Sequence, residues 1–245
     1  MKLAALALVA ACTASAGAPA HSPIPDSATQ LVTAIVDDWP STTATLQRWQ
    51  RAKGSAWQPV GEAWPAVIGA TGAAWGDGLH GRGAPAGLAG PIKHEGDQAT
   101  PAGAFGIRAA YGYAAEAPAG TKLAYTPSAG LECVDDPGSS HYAQITRAGG
   151  DWHSAEQMKR RDALYTWVID VGHNPARIRG DGSCIFLHVW DGPQSTTVGC
   201  TAMAEPKLAE LVATLEPTAV YVLLPRTAYR ALAAAWKLPG DKVAP

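Results

Sequence analysis

The chain has 245 residues, 47% hydrophobic and 16% charged, which suffices for a sizeable core and excludes a disordered composition. A formal net charge of −2 supplies no basic surface, so nucleic acid is not an expected partner. Twenty-six Gly and 19 Pro favour short elements joined by turns, and an all-β chain of this length commonly forms one domain.

Residues 1–20 read as an export signal. Lys2 is followed by an apolar run from Leu3 to Ala11 that is too short to span a bilayer, and Ala16-Gly17-Ala18 offers small residues for cleavage. Val9-Ala10-Ala11-Cys12 also resembles a bacterial lipoprotein box, which would make Cys12 the lipidated first residue of the mature chain. Both readings place the protein outside the cytoplasmic membrane, in the periplasm or cell envelope. Membrane contact is expected only through such an anchor.

A mainly β domain is expected over residues 28–225. Leu31–Val36 is β-branched and apolar, Thr43–Arg51 has the mixed pattern of a half-buried strand, and Trp57–Val60 and Ala66–Ile68 continue it. Gly69–Gly90 reads as a long loop with His80 as a solvated residue in it. In the segment Thr100-Pro101-Ala102-Gly103-Ala104-Phe105 the Pro and Gly predict a turn entering a strand at Phe105. Asp151 or Ser154 would cap a short helix near 154–160. Leu164–Val171 alternates as a strand, and Pro206–Glu216 is an amphipathic helix with Leu208, Leu211, Val212 and Leu215 on one face. Ala219–Leu224 is a strand. A C-terminal helix near 228–236 and a tail complete residues 226–245.

The most informative stretch runs from Ser183 to Met203. Ile185–Val189 reads as a buried strand carrying His188, Asp191-Gly192-Pro193 turns the chain, and Gly199-Cys200 closes the following loop. A thiol beside an imidazole is a nucleophile with its base, and a glycine before the cysteine lets backbone N–H groups of Gly199 and Cys200 face an oxyanion. A buried Cys and a satisfied core His are the plain alternatives.

His188 followed by Thr197-Val198-Gly199-Cys200 resembles the catalytic signature of the L,D-transpeptidases, the YkuD-type family. The upstream Thr100–Phe105 segment is similar to that family's TPxGxF element. The resemblance spans about residues 90–205 and departs from the family's pattern at Val189, Val198 and Thr201–Met203, where acceptor and substrate contacts would lie. It implies a β-sandwich with a few short peripheral helices. It also implies a cysteine-dependent acyl transfer on peptidoglycan stem peptides: Cys200 would form a thioester, His188 would act as base and then acid, and an amine of a second stem would capture the acyl group. Capture by water would make the protein an L,D-carboxypeptidase. A wall-binding protein that kept the fold without the activity is the alternative from another class.

With Cys12 cleaved or lipidated and Cys200 kept reduced as the nucleophile, Cys133 and Cys184 remain as the pair for a disulfide; two buried free thiols are the alternative. Seven His invite a zinc reading, but no close ligand pair such as H-x-x-x-H occurs, so neither metal nor cofactor is expected.

Overall fold

The computed structural model describes residues 22–240. The expected export signal and Cys12 lie outside the described residues. Within them the chain forms fifteen strands and two helices. In order these are β1 (Gln30–Val36), β2 (Thr43–Gln50), β3 (Gln58–Val67), β4 (Ala73–Trp75), β5 (Asp77–Gly78), β6 (Gly81–Arg82), β7 (Thr100–Gly112) and β8 (Tyr125–Pro127). There follow β9 (Leu131–Val134), β10 (Ile145–Arg147), β11 (Ala155–Gln157), β12 (Trp167–Val171), β13 (Phe186–Val189), β14 (Thr201–Met203), α1 (Glu205–Thr214), β15 (Val220–Pro225) and α2 (Arg226–Leu232).

The protein is mainly β, as its composition predicts. The principal sheet has ten strands, in the order β12-β13-β14-β3-β2-β1-β15-β7-β4, with β8 also on β7. Because the middle of β7 pairs with β15 and its last part pairs with β12, the ladder closes on itself. β1 lies centrally between β2 and the parallel β15, which explains why it is a nearly unbroken apolar run rather than an alternating one.

The apolar core fills this closed sheet and includes Leu31, Leu46, Trp75, Phe105, Leu187 and Trp236. α1 covers it with Leu208, Leu211 and Val212; Pro206 occupies its first turn, where the missing N–H costs nothing. Trp236 and Tyr229 are buried in the same core, so residues 226–236 pack against the strands.

Several local expectations are corrected. Residues 155–157 are a strand, not a helix: β11 pairs with β9, and the Asp151 carboxylate expected as a cap accepts a hydrogen bond from Ser139 Oγ. The Thr100-Pro101 segment already belongs to the thirteen-residue β7. Gly103 has φ +142°, and a Cβ there would meet the His80 ring. His80 is accordingly packed among Trp75, Phe105 and Trp236 instead of lying in solvent.

A second, three-stranded sheet, β10-β9-β11, lies beside the principal one. The Cys133–Cys184 disulfide joins β9 to a residue two positions before β13, and this pairing is as expected. It ties the small sheet to the strand that carries His188.

Candidate active site

Cys200 immediately precedes β14, which runs parallel to β13 with Ala202 opposite His188. The turn before it requires glycine: Gly199 has φ +144°, and a Cβ would sit 3.2 Å from the Ala99 carbonyl oxygen. The Cys200 carbonyl accepts hydrogen bonds from Thr197 Oγ1 at 2.6 Å and from Thr100 Oγ1 at 3.0 Å. Thr100 Oγ1 in turn accepts the Gly69 N–H at 2.8 Å. The Thr100–Phe105 element therefore supports the cysteine's backbone. The Gly199 N–H, expected to face an oxyanion, is already bound to Thr197 Oγ1 at 3.1 Å; that expectation is corrected to the extent that the donor is occupied.

The thiol is free and only 3% exposed. Its Sγ accepts the Phe186 N–H at 3.3 Å and donates to the Cys184 carbonyl at 3.4 Å. Cys184 has φ +55°, a left-handed conformation uncommon for a side-chain-bearing residue. Burial pushes the thiol well above the usual cysteine range and the Glu156 charge adds to this. The Phe186 N–H, the Lys93 charge and the Tyr165 hydroxyl act in the opposite direction.

His188 is buried on β13 at 7% exposure. Its Nδ1 lies 2.7 Å from the Val189 carbonyl oxygen, which can only accept, so Nδ1 carries the proton. Burial lowers its pKa to about 4, and the ring is neutral at pH 7. No hydrogen bond joins this ring to the Cys200 Sγ. The Tyr165 ring packs edge-on against both Phe186 and His188, at 5.8 and 5.1 Å between centroids. Tyr165 also belongs to the buried cluster that contains Cys200. Two other histidines are engaged elsewhere. His173 is buried between the Asp77 N–H and the Asp181 carbonyl, and His141 lies against Trp152 and Asp151.

A cavity of about 230 Å³ reaches the cysteine; Lys93, Glu95, Asp135, Glu156, Ser183 and Cys200 are among its lining residues. Glu95 accepts hydrogen bonds from Tyr142 Oη and from Ser183 Oγ, the latter at 2.7 Å. Lys93 Nζ is held by Asp97 and by the His94 carbonyl. Glu156 accepts the Tyr165 hydroxyl proton at 2.6 Å. Val198, 68% exposed, forms part of the cavity wall and gives it an apolar edge. Burial raises the Glu156 carboxyl above its ordinary range.

Glu95, Asp135, Glu156 and Tyr165 were not legible as site residues. Glu156 falls in the segment read as helix, and Tyr165 reads as one more aromatic residue of an alternating strand. The arrangement as a whole brings a buried thiol, a phenol and a carboxylate together beside a small cavity. Compared with known proteins, the chain matches no family model, no curated protein and no solved structure.

Proposed function

We propose that this protein is a cysteine-dependent acyltransferase of the L,D-transpeptidase type, exported to the cell envelope and acting on peptidoglycan stem peptides. In this reading the closed ten-stranded sheet is the chain's form of that family's β-sandwich. Cys200 attacks the carbonyl of the third stem residue, the terminal residue leaves as an amine, and a second stem's amine takes the acyl group. Amide replaces amide, so no energy source or cofactor is needed. The reaction does need a nucleophile, proton transfer in both directions and donors for the oxyanion.

The observation that carries this reading is the hydrogen bond from Thr100 to the Cys200 carbonyl at a free thiol on a cavity. It joins the two sequence elements on which the resemblance rests. His188 enters the site through the Tyr165 ring that it packs against. Incubation of the purified protein with muropeptides, read by mass spectrometry, separates the outcomes. New cross-linked dimers support transfer, shortened stems support the L,D-carboxypeptidase, and unchanged muropeptides defeat both.

A second reading, the wall-binding protein without activity, is favoured by the high thiol pKa and the absence of a Cys200–His188 hydrogen bond. A carbapenem distinguishes it: an active site acylates at Cys200, whereas a binding module forms no covalent adduct.

A further inference from the structure

The thiol is buried among groups that resist its ionisation, and its proton needs a destination. Three facts identify one. Tyr165 Oη donates a 2.6 Å hydrogen bond to Glu156 Oε2. Tyr165 and Cys200 belong to the same small buried cluster, with Cys133, Met158, Val168, Cys184 and Phe186. Glu156 and Cys200 line the same cavity.

The fold holds the carboxylate there. Glu156 is the register partner of Cys133 across β11 and β9. Cys133 is bonded to Cys184, and the Cys184 carbonyl accepts the Cys200 thiol. One covalent link and two hydrogen-bonded steps therefore set the distance between carboxylate and sulfur.

We propose that Glu156 is the acceptor of the Cys200 proton and that the Tyr165 hydroxyl carries it there. The inference rests on the reading of Cys200 as a nucleophile. The Sγ–H bond breaks and its proton passes to Tyr165 Oη, while the Oη proton passes to Glu156 Oε2. The products are a thiolate, an intact phenol and a neutral carboxylic acid. The thiolate then forms the C–S bond to the stem carbonyl. The same proton returns by the reverse route to the amine that leaves, which restores the Glu156 carboxylate. Charge is conserved at each step and no further reactant is required.

The surroundings suit an acceptor that must bind and release a proton. Asp135 and Glu95 raise the affinity of Glu156 for a proton, and Arg160 and the Tyr165 hydrogen bond lower it. Around the sulfur, Lys93 and the Phe186 N–H favour the thiolate. The buried Tyr221 hydroxyl, bonded to Thr201, faces the cysteine from β15 and is itself raised by burial. The Asp135 Oδ1 atom is buried without a hydrogen-bond partner among the described residues. His188 holds the Tyr165 ring from the other side.

Glu156 has two opposing effects on the thiol, and this makes the proposal testable. As a fixed anion it disfavours the thiolate, so neutralising it would speed the reaction of Cys200. As the proton acceptor it is required, so neutralising it would slow that reaction. The experiment is alkylation of the folded protein by iodoacetamide from pH 5 to 9, read by mass spectrometry on the peptide containing Cys200, for the wild type and for Glu156→Gln. The proposal expects a fall of about 10²-fold or more at pH 7, with the rising limb of the pH profile displaced to higher pH. An unchanged or faster rate overturns it, as does a wild-type thiol unreactive throughout that range. Should Glu156→Gln not fold, Tyr165→Phe, which keeps the ring against His188, gives the second measurement. A similar loss supports the path and a native rate overturns it. Where both fold, the double variant is expected to be no slower than either single one, because both interrupt one route. Iodoacetamide needs no stem peptide, so the two readings fail separately. Glu156-dependent alkylation without muropeptide transfer removes the peptidoglycan function only, whereas transfer that survives Glu156→Gln removes the proton path only.

Discussion

Thr100 Oγ1 donates a 3.0 Å hydrogen bond to the carbonyl oxygen of Cys200 while accepting the Gly69 N–H at 2.8 Å. The Thr100 side chain thus connects three segments of the chain within a fully buried environment.

Thr100→Val keeps the shape and removes both bonds. The Gly69 N–H is left without its acceptor, while the Cys200 carbonyl retains Thr197. A loss of about 1–3 kcal/mol in urea unfolding is expected, the cost of a buried polar group left unpaired. Alkylation of Cys200 should slow as well, because its backbone loses one of two restraints. Unchanged stability would show that Thr100 makes no net contribution here.

The Cys133–Cys184 bond closes a loop with a sequence separation of 51 residues. Replacing both residues by Ala should cost about 4 kcal/mol on the chain-entropy account. It should also weaken Cys200 reactivity, since the small sheet carrying Glu156 loses its tie to β13. Thiol titration of the denatured, unreduced protein should find Cys200 and, where it remains free, Cys12. Two further reactive thiols would contradict the bond.

Two roles proposed for His188 are separable by substitution. If the imidazole handles the proton, His188→Ala and His188→Phe should both slow acylation at Cys200 by roughly 10²- to 10⁴-fold, with partial recovery at higher pH. If it holds the Tyr165 ring, His188→Phe should keep most of the rate and His188→Ala should lose it. The packing against Tyr165 and the hydrogen bond of Nδ1 to the Val189 carbonyl favour the second result. Cys200→Ala should abolish the adduct in every background, and pH cannot restore it.

Stability should fall on acidification below pH 6.5. His80, His173 and His188 each have a pKa lowered to about 4 by burial. Between that value and the unfolded value of about 6.5, the unfolded chain binds protons that the native protein does not, so lowering the pH favours unfolding. Asp170 acts in the opposite sense: burial raises it to about 6, so the native state already holds that proton near pH 5. Burial also raises Glu156 and Asp77, which act in the same sense as Asp170, so the three histidines are partly offset and the unfolding free energy is expected to fall by about 1–3 kcal/mol per pH unit near pH 5. Urea midpoints at pH 7, 6 and 5 measure this, and a flat series would count against neutral burial of the three rings.

Strands β1, β2 and β15 and helix α1 are legible because each is long enough to display a period or a continuous buried run. β4, β5, β6 and β8–β11 are not: with two to four residues each, they are too short to repeat an alternation enough times to be recognised, and their pairing partners define them. The segment at 154–160 has the composition of a helix start, but its possible capping side chain is engaged by Ser139 and its backbone by β9.

Within the candidate site, local order of residues suffices for some features. A glycine before Cys200 is required by one backbone conformation, and the pairing of Cys133 with Cys184 follows once the other cysteines are assigned elsewhere. A mainly β chain follows from short alternating runs between frequent Gly and Pro. The neighbour of the thiol is another matter. It depends on how β12 packs against β13 and where the disulfide draws β11, and both are contacts between segments distant in the chain. Sequence proximity favours His188 as the partner of Cys200, yet in the folded chain the imidazole is hydrogen-bonded to the Val189 carbonyl, and Tyr165 lies against that histidine within the cluster that holds the thiol. The tertiary structure alone decides this, because side-chain direction on paired strands is set by register and packing, not by separation along the chain.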